Sequence, residues 1–132
     1  MARYARLMHE PQFAPAVGPF ECGMRVQIPL HARALVGVSG KQLHEALVTR
    51  YARERFVRVL PIAEPLGEDE RCFDPEACNG SNRIDLYVVP NPSGHVLLVA
   101  IVDNLGKGAA GAAVQNLNLI LGLPEDAGLR AG

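Results

Sequence analysis

The chain has 132 residues, of which 48% are hydrophobic and 20% are charged, and its formal net charge is −1. This size and composition fit one globular domain, and the near-neutral charge argues against nucleic acid or an anionic membrane as a partner. No apolar run approaches the roughly 18 residues that a membrane span needs, and the first residues lack the apolar core of a secretory signal. The three cysteines, Cys22, Cys72 and Cys78, show no paired spacing, which indicates free thiols in a cytoplasmic protein.

The first regular element is a strand. Apolar and other residues alternate from Met24 to Leu30, a period of two that is typical of a strand with one apolar face. Pro29 cannot donate a ladder hydrogen bond, so it favours an edge strand or a bulge. We expect this strand to continue to Leu35, before a turn that contains Gly37.

A helix and a second strand follow. Ser39 and Gln42 have the spacing of a capping box, and apolar residues at three- and four-residue intervals continue to Tyr51. The short β-branched segment 56–60 ends at a proline and predicts a strand.

The second half of the chain predicts a long connection, a hairpin and a final helix. Residues 61–80 are rich in Pro, Gly, Asp and Glu, which indicates an irregular segment. The alternating segment 84–88 and the continuously apolar segment 95–102 flank a turn, and unbroken apolar character favours a central strand buried on both faces. The last helix is predicted over 104–121. The element order indicates an α+β fold: a mixed, mostly antiparallel sheet with helices packed on one face.

One stripe of the last helix carries glycines and amides in place of charge. At 100° per residue, the residues that share this stripe are Asn104, Gly108, Gly111, Gln115, Asn118 and Gly122. Glycine costs roughly 0.5–1 kcal/mol against alanine in a helix interior. The stripe therefore indicates close approach of the helix backbone to something polar, a cofactor or another domain. A tightly packed helix in an ordinary core is the alternative.

The candidate functional residues lie where the last strand meets this helix. Asp103, Asn104 and Lys107 surround a helix N-terminus, whose free N–H groups and partial positive charge suit phosphate or carboxamide groups. The alternative is that Asp103 is only an N-cap and Lys107 only a solvated residue. The four histidines are scattered, which disfavours a zinc site. Cys22 has no His or Lys beside it in the sequence, which favours a small structural residue over a nucleophile.

A glycine pattern at the same place matches the spacing of dinucleotide-binding loops. Gly106, Gly108 and Gly111 reproduce that spacing, but they open the last helix, and no strand with an acidic residue follows. We therefore do not interpret them as a Rossmann fingerprint.

The same region carries a resemblance to a known family. Residues 98–119, LVAIVDNLGKGAAGAAVQNLNL, resemble the C-terminal signature of the N-acetyl-gamma-glutamyl-phosphate reductases, within the semialdehyde dehydrogenase superfamily. Upstream segments at 13–15, 23–30, 55–57 and 79–83 resemble the shorter, proteobacterial-type branch. The resemblance covers nearly the whole chain, but only the C-terminal part of such an enzyme.

The resemblance implies a reaction and a missing half. Family members reduce N-acetyl-glutamyl phosphate to the semialdehyde with NADPH in arginine biosynthesis, through a cysteine thioacyl-enzyme. Their N-terminal Rossmann domain, their nucleophilic cysteine in a Gly-Cys-Tyr-Pro-like turn and the histidine that precedes the matched segment are not in this sequence. The resemblance therefore implies that residues 1–132 are a single C-terminal domain, a fragment that is inactive alone.

The resemblance also implies roles for particular residues. Asn104 would lie near the nicotinamide carboxamide of NADP, and Lys107 would contact phosphate or the neighbouring domain. The partners would be the chain's own Rossmann domain, a small-molecule substrate and a second copy bound through the sheet, with the glycine and amide stripe docked on the Rossmann domain. The alternatives are a stand-alone binding or assembly module, and a related dehydrogenase of the aspartate- or aminoadipate-semialdehyde type.

Overall fold

The computed structural model describes residues 12–62 and 73–132. The strands and helices in chain order are β1 (Met24–Leu30), α1 (Ala32–Leu35), α2 (Gly40–Tyr51), β2 (Val57–Val59), β3 (Ile84–Pro90), β4 (Val96–Val102) and α3 (Gly111–Ile120), with a π-helical turn (Gly106–Ala110) leading into α3. In these residues no helix has the length and apolar character needed to cross a membrane. Residues 1–11 and 63–72, and with them Cys72 and half of the predicted 61–80 connection, lie outside the described residues.

The four strands form one sheet in the order β1-β4-β3-β2. β4 is antiparallel to both β1 and β3, and β2 is parallel to β3. This confirms the predicted α+β fold with a mixed, mostly antiparallel sheet, the hairpin, and the central position of the apolar 95–102 segment. Pro29 lies in the edge strand β1, opposite Leu97, as its missing N–H predicts.

The two faces of the sheet are covered differently. Helix α2 packs on β2 and β3, and the capping box at Ser39 that starts it is present as predicted. On the opposite face, Phe73 and Cys78 pack with residues of β3 and β4, such as Val99 and Ile101, to form the buried core. On the α2 side, β1 keeps its apolar residues partly open: Ile28 is 49% exposed.

Two predicted boundaries were wrong. The first strand ends at Leu30, because His31 caps a helical turn, Ala32–Leu35, through its Nδ1 atom, and the N–H of Ala32 donates to Nδ1 of His95 at 2.9 Å. The last helix begins two residues later than predicted, at Gly106, because Asp103 and Asn104 are engaged in contacts outside the helix.

Candidate functional site

The carboxylate of Asp103 organises the junction between β4 and the last helix. Asp103 is 6% exposed. One of its oxygens accepts the N–H groups of Leu105 and Gly106, and the other accepts the N–H of Gly80, all at 2.9 Å. These hydrogen bonds, that from Gly106 foremost and Gly80 next, hold the pKa of Asp103 below its ordinary value, whereas burial opposes them. The residue is thus both a helix cap and a tie to a distant loop.

Asn104 is held by Gly23, the residue that directly precedes the edge strand β1. Its Oδ1 atom accepts the N–H of Gly23 at 2.7 Å, across 81 residues of sequence. Gly23 is buried and has φ of 114°, and a Cβ there would lie 2.5 Å from the carbonyl oxygen of Pro75. Only glycine fits this conformation. Because the oxygen of Asn104 is occupied by a donor, its amide nitrogen is the atom left to donate, and the side chain is half-buried.

Glycines allow the π-helical turn that follows. The N–H of Gly108 donates to the carbonyl oxygen of Asp103 at 2.8 Å. A Cβ on Gly106 would lie 3.1 Å from the Asp103 carboxylate and from the carbonyl oxygen of Ser81. Small residues here let the helix start against the 79–82 loop. A π turn of this kind is often found at functional sites.

The glycine and amide stripe of α3 faces the domain's own interior. Gly111 is buried, and a Cβ there would lie 2.3 Å from Oδ1 of Asn82. Asn118 is 5% exposed, and its Nδ2 atom donates to the carbonyl oxygens of Glu125 and Ala127. The expected close approach to a polar group is present, but the group belongs to this domain. The expectation that the stripe docks on a Rossmann domain was therefore wrong.

Lys107 also turns inward. Its Nζ atom lies 2.5 Å from Oε1 of Gln115 and 5.6 Å from the centre of the Phe56 ring. Burial lowers the pKa of this lysine, and the carboxylates of Glu125 and Glu54 oppose that shift. Gln115 takes one of the three N–H donors of this ammonium.

The described cysteines are poor nucleophiles. Burial raises the pKa of Cys22, and the negative charge of Asp103 raises it further. Burial and the charge of Asp85 raise the pKa of Cys78, although Arg83 opposes the shift. Since the thiolate is the reactive form, these raised pKa values disfavour Cys22 and Cys78 as nucleophiles.

A cavity lies at the opposite end of the sheet. It has a volume of about 430 Å³ and is lined mainly by apolar residues, with His31 and His95 at one side. The two imidazoles are in contact, with centroids 4.3 Å apart, and the Nδ1 atom of each already accepts a backbone N–H. Along β4 this end is six residues, or roughly 20 Å, from the Asp103 junction. Within the described residues, no three His, Cys, Asp or Glu side chains gather as a metal site.

The structure brings together site residues that sequence reasoning did not connect. Asp103 lies beside Gly80, and Asn104 lies beside Gly23; neither glycine was singled out as functional. The positive φ of Gly23 and of Gly80 is the physical reason for glycine at both positions, but a single sequence does not reveal which distant residue such a glycine approaches.

The chain is similar in sequence to known reductases. The N-acetyl-gamma-glutamyl-phosphate reductase 2 of Nostoc sp. is 48% identical over 132 residues, which are 98% of this chain and 41% of the relative. The reductase of Burkholderia orbicola is 47% identical over 122 residues, 91% of this chain and 38% of the relative. The chain thus spans about two fifths of these relatives and matches their C-terminal part. The family model for the dimerisation domain of semialdehyde dehydrogenases matches residues 1–104, and the chain therefore belongs to that family.

Proposed function

We propose that this chain is the C-terminal domain of an NADP-dependent N-acetyl-gamma-glutamyl-phosphate reductase of arginine biosynthesis, that it works with an N-terminal Rossmann domain in an oligomer, and that it is inactive by itself. The observation that carries the proposal is the geometry of Asn104, within a chain that is similar to such reductases over nearly its whole length. The unpaired thiols of Cys22 and Cys78 support activity in the cytoplasm.

The amide of Asn104 fits a carboxamide ligand. Its oxygen accepts the N–H of Gly23. The N–H donors of its amide nitrogen are the groups left for a ligand. A nicotinamide carboxamide presents a carbonyl oxygen that accepts such a bond, and bound NADP would supply the hydride transfer. The contribution of this chain is orientation: Asn104 fixes one edge of the ring, and Asp103 fixes Asn104 by holding the helix start against the 79–82 loop.

Lys107 is the second residue to which we assign a contact. It lies one turn beyond Asn104 and donates one hydrogen bond to Gln115, and the remaining N–H donors of its ammonium would contact phosphate or the neighbouring domain. The reacting thiol comes from outside these residues, because neither Cys22 nor Cys78 has the lowered pKa of a nucleophile.

A fusion protein tests the activity. The part of the Nostoc reductase 2 that precedes the matched segment is joined to this chain, and NADP reduction is measured with N-acetyl-glutamate semialdehyde and phosphate. We expect turnover by the fusion and none by the isolated chain. A folded fusion without turnover, or turnover by the isolated chain, would contradict the proposal.

The variant Asn104→Asp of the fusion protein tests the carboxamide contact. Aspartate keeps the oxygen that accepts the N–H of Gly23 but removes the donating nitrogen, so the fold is retained while the ligand contact is lost. We expect the KM for NADP to rise about tenfold, the equivalent of about 1.4 kcal/mol. Asn116→Asp, the same change on the exposed part of α3, serves as the control. Equal KM values for both variants would remove Asn104 from the cofactor site.

A further inference from the structure

The peptide group between Cys22 and Gly23 is hydrogen-bonded on both of its sides. Its N–H donates to Oδ1 of Asn104 at 2.7 Å, and its carbonyl oxygen accepts Nδ2 of Asn79 at 3.0 Å. Three amide groups therefore stand in series: the side chain of Asn79, this peptide group and the side chain of Asn104. In such a series each hydrogen bond polarises the next, so the last amide nitrogen becomes a stronger donor.

The backbone around Asn79 is fixed independently of this series. The N–H of Asn79 donates to the carbonyl oxygen of Glu76 at 2.9 Å, and the N–H of the next residue, Gly80, donates to the buried carboxylate of Asp103 at 2.9 Å. The side chain of Asn79 thus starts from a backbone that is held on both sides. Its amide can therefore set the orientation of the peptide group that it contacts.

The oxygen of the Asn79 side chain indicates a role other than stability. This Oδ1 atom is buried and has no hydrogen-bond partner within the described part of the chain. The opposite orientation of the amide is excluded, since it would place two oxygens against each other at the carbonyl of Cys22. A buried acceptor without a donor destabilises a fold, and such departures from complete pairing are expected at functional sites.

We propose that Asn79 is a positioning residue for the cofactor contact of Asn104 and acts through the Cys22–Gly23 peptide group, an inference that rests on the proposed function. Asn79 fixes the carbonyl side of that peptide group, and the peptide N–H fixes Oδ1 of Asn104. The nitrogen of Asn104 then has one orientation in which to donate to a nicotinamide carboxamide. Asn79 needs no contact of its own with the cofactor, so its substitution should affect NADP binding only while the Asn104 amide is present.

A double-mutant cycle in the Nostoc fusion tests the inference. Asn79→Ala removes the donor and the unpaired oxygen together, so the midpoint of urea unfolding should stay the same. We expect the KM for NADP to rise about fivefold, while the KM for N-acetyl-glutamate semialdehyde remains unchanged. In the Asn104→Asp background, the same substitution should change the KM for NADP by less than about twofold, because the amide nitrogen through which Asn79 acts is gone. Asn116→Ala, on the exposed part of α3, is the matched control and should leave both KM values unchanged.

Nuclear magnetic resonance of the isotope-labelled chain tests the series of hydrogen bonds without any cofactor. In Asn79→Ala we expect the N–H proton resonance of Gly23 to move upfield and the side-chain amide resonances of Asn104 to shift, because the hydrogen bond between these two residues weakens. Asn116→Ala should move neither set of resonances.

The outcomes separate the role of Asn79 from the proposed function. An equal effect of Asn79→Ala on the KM for NADP with and without Asn104→Asp overturns the inference, because Asn79 then acts by another route. Unmoved resonances of Gly23 and Asn104 overturn it even when the fusion is active. An unfolded Asn79→Ala chain also overturns it, because Asn79 is then needed for the fold itself. Moved resonances together with a fusion that has no reductase activity support the hydrogen-bonded series and count against the proposed function alone.

Discussion

A buried carboxylate is stable at Asp103 because three backbone N–H groups replace the water that burial removes. Hydrogen bonds to an ionised acceptor are stronger than neutral ones, and here they join residues 80, 105 and 106 to one side chain. The loop that carries Gly80 is therefore coupled to the start of the last helix. A change in the charge of Asp103 therefore affects both the loop that carries Gly80 and the start of the last helix.

Replacing Asp103 with asparagine tests this coupling. The amide can accept from Leu105 and Gly106 through its oxygen, but its nitrogen then faces the N–H of Gly80, donor against donor. We expect Asp103→Asn to lower the free energy of unfolding at neutral pH by about 2 kcal/mol, as measured by urea denaturation. The exposed Asp74→Asn is the control, with an expected change within about 0.5 kcal/mol.

The same variant has a defined pH dependence. The pKa of Asp103 is lowered in the folded state from an ordinary value of 3.8. Its contribution is therefore complete above that value and is lost as the pH falls from 3.8 through the lower folded pKa. The stability difference between parent and Asp103→Asn should shrink across this acidic window. A constant difference there would show that the charge of Asp103 does not matter.

Sequence reasoning reached these residues by local chemistry and stopped at long-range contacts. Asp103 was recognisable because an aspartate after a strand and before a helix is a common cap. The hydrogen bond from Gly23 to Asn104 spans 81 residues, and the sequence around either residue does not predict it. The residue that fixes the orientation of the Asn104 amide was thus invisible before the fold was known.

At the scale of the element, the last helix shows how a correct pattern led to a wrong orientation. The stripe of glycines and amides was expected to approach a cofactor or another domain. Gly111 and Asn118 instead contact Asn82 and the 125–127 segment of the same domain, which agrees with the alternative of a tightly packed helix. The partner was wrong because periodicity shows which residues share a face but not what that face contacts. For strands the inference was easier, since the hairpin and the central position of β4 follow from local turns and from apolar runs alone.

Gly111→Ala tests the inward packing of α3. Alanine gains up to about 1 kcal/mol of helix propensity, but its Cβ would lie 2.3 Å from Oδ1 of Asn82, which forces the helix or the loop to shift. We expect a net loss of about 2 kcal/mol in thermal unfolding. In the double variant Asn82→Ala/Gly111→Ala the nearest opposing atom is gone and only the Gly106 backbone, with its carbonyl oxygen 2.9 Å from the new Cβ, still has to shift, so the two losses should be less than additive. A Gly111→Ala variant more stable than its parent would show that this face does not pack.

At the scale of the whole molecule, two apolar surfaces are open within residues 12–62 and 73–132. One is the outward face of α3, where Leu117 is 53% exposed, Ile120 81% and Leu121 61%. The other lies on the α2 side of the sheet, where Met24, Val26 and Ile28 of the edge strand are 38%, 40% and 49% exposed and α2 packs on β2 and β3. The relatives are more than twice as long as the segment that this chain matches, and under the proposed function their preceding part and a second copy would bury surface on this domain. Exposed apolar side chains on both surfaces are consistent with a domain that buries them against other parts of a larger protein.

Ile28→Thr measures whether the open half of the sheet is covered in a complete protein. Threonine keeps the β-branched shape that suits a strand, so in the isolated chain the change should alter the unfolding free energy by no more than about 0.5 kcal/mol. In the Nostoc fusion, where we expect assembly with a second copy through the sheet to bury this side chain, the loss should reach about 1.5 kcal/mol. Gln27→Thr, its neighbour on the other face of β1, is the matched control and should have the same small effect in both proteins. If Ile28→Thr costs the fusion no more than it costs the isolated chain, the assembled fusion leaves this half of the sheet open.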